Sequence, residues 1–145
     1  MRTIIIWSKD IIPSLFTYAF QKAGYDMTVD WIDNIETGFN SCVKSPPDLL
    51  IVKRSLYQRD DGLAVCQKLR NIETLPYFPI IVGYIDVDEN WEDASKRVYQ
   101  TGATLCFGRV SNVGKVVRQI AEILESSVSG PPSKGGEGVT RNAEP

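Results

Sequence analysis

Polar side chains with chemical potential cluster where short apolar runs end. Ser8, Lys9 and Asp10 follow "TIIIW"; Lys53, Arg54 and Ser55 follow "DLLIV"; Tyr84 and Asp86 close "FPIIVGYID"; Arg109 follows "ATLCFG". Lys9, Lys53 and Arg109 together would form a basic edge able to hold a small anion or the phosphates of a nucleotide. The carboxylates Asp10, Asp60, Asp61, Asp86 and Asp88 are near enough in sequence to serve as metal ligands or phosphoacceptors. The simpler expectation is that they cap helices and pair with Lys9, Lys53 and Arg109. Zinc has few ligands to draw on, because the chain has no histidine and its three cysteines, Cys42, Cys66 and Cys106, form no CxxC. "GGEG" (135–138) is followed by no Lys-Ser/Thr and opens no helix, so it is not a phosphate loop. No nucleophile–base pair can be named. The expectation is a chain without catalytic residues, metal or cofactor.

A chain of 145 residues, 43% hydrophobic and 23% charged, is long enough for one substantial core. Its net charge of -2 removes the bulk electrostatic attraction that nucleic-acid binding depends on. An odd cysteine count gives no disulfide framework, which points to a reducing compartment, the cytoplasm. No apolar run approaches the ~20 residues that cross a bilayer, so membrane insertion is not expected.

The elements that must position these residues alternate regularly. "TIIIW" reads as a strand buried on both faces. "IIPSLFTYAFQKAG" reads as a helix with Leu15, Phe16, Ala19 and Phe20 inward and Gly24 at its C-terminal cap. "MTVDWI" is a second strand. Asn34 caps "IETGFNSCVKS", with Ile35, Phe39 and Cys42 or Val43 as its apolar stripe. "DLLIVK" is a third strand. Asp60 or Asp61 caps "GLAVCQKLR", and "FPIIVGYI" is a fourth strand. "DVDENWEDASKRVYQTG" is a helix with an acidic start. "ATLCFG" is a fifth strand, and "NVGKVVRQIAEILESS" a last helix. This order predicts an α/β fold: a (βα)5 doubly wound, five-stranded parallel sheet, flavodoxin- or CheY-like. Residues 1–125 form the domain. Residues 126–145, rich in Gly, Pro and Ser, read as a flexible tail or linker.

The element order, with "AGY", "PPDLLIVK", "DGLAVCQKLR", "FPIIVGYI" and "GATLCFGRV" in register, is similar to response-regulator receiver domains over about residues 2–125. That family has an acidic pair after strand one, a phosphoacceptor aspartate after strand three, a Ser/Thr after strand four and Lys-Pro after strand five. Carried over by position, the acidic pair falls on Ser8 and Lys9. The phosphoacceptor falls on Lys53, or on Arg54 if the insertion before Asp61-Gly62 is placed upstream. The hydroxyl falls on Tyr84, the lysine on Arg109, the proline on Val110, and the switch aromatic on Cys106. Each position departs from the pattern. The resemblance therefore implies a pseudo-receiver, a scaffold kept without its aspartyl-phosphate chemistry.

Such a scaffold implies a phosphorylation-independent protein–protein interaction module in a signalling, cell-polarity or motility system. In the family, the fourth helix, fifth strand and fifth helix contact partners or a second copy. Here that face offers Trp91, Lys96, Arg97, Tyr99 and Cys106, with Tyr57 a further candidate. The alternative is a small-anion or nucleotide sensor at Lys9, Lys53 and Arg109.

Overall fold

A computed structural model describes residues 1–85, 89–108 and 112–126. Asp86, Asp88, Arg109, Val110 and the tail beyond Ser126 lie outside the described residues. The elements alternate as β1 (Arg2–Ile6), α1 (Ile12–Lys22), β2 (Thr28–Ile32), α2 (Ile35–Lys44), β3 (Leu49–Lys53), α3 (Asp61–Arg70), β4 (Ile80–Ile85), α4 (Trp91–Gln100), β5 (Leu105–Gly108) and α5 (Val113–Ser126). The strands form one sheet in the order β2-β1-β3-β4-β5, parallel throughout.

Strand alternation sorts the core into two layers. Ile4, Ile6, Leu50, Val52, Ile80, Val82 and Cys106 face α2, α3 and α4. Ile5, Trp7, Leu49, Ile51, Ile81, Leu105 and Phe107 face α1 and α5. Both faces are thus covered by helices, as the apolar character of the three central strands requires.

One helix face departs from expectation, at α1, and at α2 the choice between Cys42 and Val43 is settled. α1 buries Phe16 and Phe20, while Leu15 is exposed; α2 buries Cys42, while Val43 is exposed. Pro13 stands in the first turn of α1, where its missing N–H is not needed. Asn34 caps α2 by accepting from the Thr37 N–H at 2.8 Å. α4 starts only at Trp91, because Asn90 takes the Asp93 N–H at 3.1 Å and sets the cap there. α5 extends one residue past the expected domain boundary, to Ser126.

All three cysteines are buried and free. Burial pushes the Cys42 and Cys106 thiols up to about 12, and the Cys66 thiol up as well. At pH 8 a thiol titrating near 12 is ionised in about one molecule in ten thousand. In Ellman's assay the native protein is expected to be inert over minutes, with all three thiols reacting in denaturant. Prompt reaction of the native protein would contradict this packing.

Candidate functional site

β3 ends in a lysine because the alternation that points Leu49 and Ile51 toward α1 and α5 delivers Lys53 to the same side one step later. Lys53 stands opposite Gly83 of β4, and Gly83 stands opposite Phe107 of β5. Gly83 leaves room for its neighbour: a Cβ there would lie 2.2 Å from Phe107 Cζ. The Phe107 ring therefore lies across β4 and stacks parallel to Trp7, centroids 6.1 Å apart. Tyr84 meets both rings edge-on, at 5.1 Å from Trp7 and 6.0 Å from Phe107.

The Lys53 ammonium sits at this aromatic rim, 6.0 Å from the ring centroids of both Trp7 and Tyr84. That is the outer limit of a cation–π contact, worth about 0.5–1 kcal/mol. Its hydrogen bond is to Ser8 Oγ at 2.9 Å. Ser8 in turn donates to Asp10 Oδ2 at 3.2 Å, which also accepts from Trp7 Nε1 at 3.3 Å. Asp10 Oδ1 takes the Ile12 N–H at 2.9 Å and so holds the start of α1. Ammonium, hydroxyl and carboxylate form a relay joining β3 to the loop after β1.

Lys9 is not part of this relay. It is 82% exposed and pairs with Asp33 Oδ2 at 3.7 Å, turned toward the loop after β2. The expected basic edge of Lys9, Lys53 and Arg109 thus loses Lys9, and Arg109 is outside the described residues. The short reach from Lys9 to the β2 loop explains the outcome. Of the carboxylates expected to cap helices and pair with Lys9, Lys53 and Arg109, Asp10 holds the start of α1 and is linked to Lys53 through Ser8.

Of the two positions left open for the phosphoacceptor, Lys53 faces the end of β1. Arg54 turns to the opposite side of the sheet, 5% exposed. Its Nε binds Asp60 Oδ1 at 2.8 Å, and its Nη1 binds Glu89 Oε1. Glu89 Oε2 also accepts from Arg97 of α4 at 3.2 Å. Burial alone pulls the Arg54 pKa down, but the hydrogen bonds and charges of Glu89 and Asp60 outweigh it, and the net direction is up. This guanidinium is a buried, doubly paired fastener between the loops after β3 and β4.

The loop after β3 is also tied internally. The Asp61 carboxylate accepts from the backbone N–H groups of Leu56, Tyr57 and Gln58 at 2.6, 3.0 and 2.9 Å. It therefore organises the loop behind it, whereas the N-cap position of α3 is Asp60, whose side chain makes no cap bond. The Tyr57 ring is exposed, but its hydroxyl donates to the Asp33 carbonyl.

The candidate partner residues divide. Lys96 is exposed, and Arg97 is exposed but engaged by Glu89. Trp91 is half-buried against both core layers. Tyr99 is half-buried, its hydroxyl accepting the Cys106 N–H at 3.3 Å. Cys106 has no exposed surface, so it cannot contact a partner in this conformation; it is a core side chain of β5.

A receiver fold implies Mg²⁺ beside its phosphoacceptor, and these residues do not fit that ion. Mg²⁺ needs oxygen ligands, usually with one or two carboxylates. At the ends of β1 and β3 stand a hydroxyl and an ammonium, and Asp10 already accepts three hydrogen bonds. Among the described residues, no three His, Cys, Asp or Glu side chains gather to hold a metal. Sequence reasoning located Ser8, Lys53 and Tyr84 here but missed Trp7, Phe107 and Glu89. The first two share strand parity with Lys53, a signal readable once the register is known.

No family model and no curated protein matches the sequence. Solved structures do match. The signal receiver domain of the DNA-binding response regulator merR from Colwellia psychrerythraea superposes with a TM-score of 0.71 at 16% identity, over 86% of this chain and 98% of that one. The chemotaxis response regulator CheY4 of Vibrio cholerae gives 0.65 at 14%, over 85% and 97%. The Mn²⁺-bound form of response regulator Rcp1 gives 0.70 at 14%, over 90% and 99%. At these identities the likeness establishes the receiver fold. Among the described residues, no helix is long and apolar enough to cross a membrane.

Proposed function

We propose that this chain is a pseudo-receiver: a non-enzymatic, phosphorylation-independent protein–protein interaction module of a cytoplasmic signalling system. The observation behind the proposal is the Lys53 ammonium at the end of β3, hydrogen-bonded to Ser8 at 2.9 Å. A tethered cation occupies the place where a receiver assembles metal and phosphoryl group. A divalent ion brought within ~4–6 Å of that ammonium would be repelled by several kcal/mol at an effective dielectric near 20. The relay to Asp10 and the Arg54 fastener hold the loops in one arrangement, as metal and phosphate do transiently in a switch. The anion-sensor alternative is weakened by Lys9, which is spent on Asp33.

The test is intact mass after incubation with acetyl phosphate and Mg²⁺. No phosphoryl adduct is expected, and Lys53→Asp alone is expected to remain inert because Ser8 and Lys9 still provide no carboxylate. A stoichiometric, base-labile adduct on the unaltered protein overturns the reading.

A further inference from the structure

β2 is an outer strand of the sheet, and Val29 on it packs into the core layer beneath α1. Between β2 and α1 runs an open groove of about 370 Å³. Two exposed aromatic side chains line it, Tyr18 of α1 and Trp31 of β2, together with Val29 and the buried Pro13. The Trp31 indole N–H donates to the Trp7 carbonyl at 2.9 Å, so what this side chain offers the groove is apolar ring surface. Ser14 and Gln21 add neutral polar groups, and no charged side chain lines the groove. The end of α5 is held at the turn after α1, where the Tyr25 hydroxyl donates to Glu125 Oε2 at 3.2 Å. From Ser126 the sequence continues "SSVSGPPSK", without charge from Ser127 to Ser133. Pro131 comes five residues after Ser126, a reach of at most about 17 Å. Passing the end of one helix takes about 10–12 Å.

We propose that the chain's own Pro131-Pro132 segment docks in the groove between α1 and β2, extended as polyproline II beside Tyr18 and Trp31. Aromatic-lined grooves receive proline rings, and a preformed polyproline II segment loses little entropy on binding. Its carbonyls have no internal partners, and the Ser14 hydroxyl and Gln21 amide supply donors. The lengths agree: from Ser14 to Gln21 a helix advances roughly 10 Å, the rise of three polyproline II residues at ~3.1 Å each. The uncharged segment also matches an uncharged lining, in which a charged partner has nothing to pair with. The tether makes a weak contact sufficient, because a short linker holds its ligand at an effective concentration on the order of millimolar. A second copy could offer the same prolines, but only at its concentration in solution. This inference goes beyond the interaction-module reading and does not depend on it.

The test uses the full chain with a nitroxide label at Ser133→Cys, which the buried native thiols leave as the reactive position. In NMR spectra the label is expected to broaden the amides of Ser14–Gln21 and Val29–Trp31. Pro131→Ala with Pro132→Ala should remove most of that broadening, and so should Tyr18→Ala, whose exposed position leaves the fold intact by circular dichroism. A synthetic peptide of sequence SVSGPPSKG, added in trans, should shift the same amides in the double proline variant. It should bind the unaltered chain roughly tenfold more weakly, because the tethered segment already holds the groove. Four results overturn the proposal: no broadening at the groove, broadening indifferent to the substitutions, broadening only between separately labelled copies, or equal peptide binding by both forms. The third assigns the groove to a second copy and the fourth leaves it open to a separate partner. None of these readouts involves Lys53, so an adduct from acetyl phosphate removes the phosphorylation-independent reading and leaves this one standing.

Discussion

Gly62→Ala is expected to destabilise the domain by about 3 kcal/mol or more. α3 begins directly against the end of β3: the Gly62 N–H donates to the Arg54 carbonyl at 2.9 Å. A Cβ on Gly62 would fall 1.9 Å from the Lys53 carbonyl oxygen and 2.9 Å from that of Arg54. Both obstacles are backbone, so no rotamer change relieves the contact, and the helix start must move away from the strand. A loss of that size is a large part of the ~5–15 kcal/mol that holds a domain together, and it corresponds to a fall in Tm on the order of 10 °C. Urea unfolding and calorimetry read it directly. A midpoint change equivalent to less than about 1 kcal/mol would mean that α3 does not sit this close to β3. The same shift should disturb Lys53 and Arg54, seen as faster amide exchange at the ends of β1 and β3.

Arg54→Ala is the second large effect expected, at about 2–3 kcal/mol. Breaking a buried ion pair from one side leaves charge without compensation and costs up to ~5 kcal/mol when both partners are deep. Here the side chains of Asp60 and Glu89 keep 30% and 25% of their surface, so water recovers part of the loss. Arg97→Ala, which removes the other guanidinium on Glu89, should cost well under about 1 kcal/mol, because that side chain is half-exposed. A double-mutant cycle between Arg54 and Glu89 separates the cases: a coupling above about 1 kcal/mol is expected, little reduced by added salt. Equal effects of Arg54→Ala and Arg97→Ala would show that burial does not distinguish the two.

The fold was legible because every strand is a short apolar run and the helices between them have readable signals: Asn34 as a cap, Pro13 in a first turn, an alternation of period 2 giving way to 3.6. Where the reading failed, burial depended on neighbours that a single segment does not reveal. Leu15 continues the apolar pattern of its helix, yet the sheet beneath α1 is already filled by Phe16 and Phe20; the choice between Cys42 and Val43 in α2 stayed open for the same reason, and Cys42 takes the buried place. Lys53 was legible as the residue that ends β3. Its setting was not, since the aromatic rim is assembled from β1, β4 and β5 and requires Gly83 to leave space for Phe107. The Arg54 fastener was out of reach for a similar reason: Glu89 is 35 residues distant, and nothing local marks it as the partner. Cys106 shows that positional equivalence to a family's switch residue does not imply accessibility.

If the proposed function holds, the bond between Lys53 and Ser8 changes what the cell can adjust. A pocket filled from solution follows mass action, and its occupancy rises and falls with the supply of ion and donor. An occupant attached to the polypeptide has no dissociation constant for a metabolite to tune. On the proposed pseudo-receiver reading, information passing through such a domain is therefore set by how many molecules are made, where they are placed and what they meet.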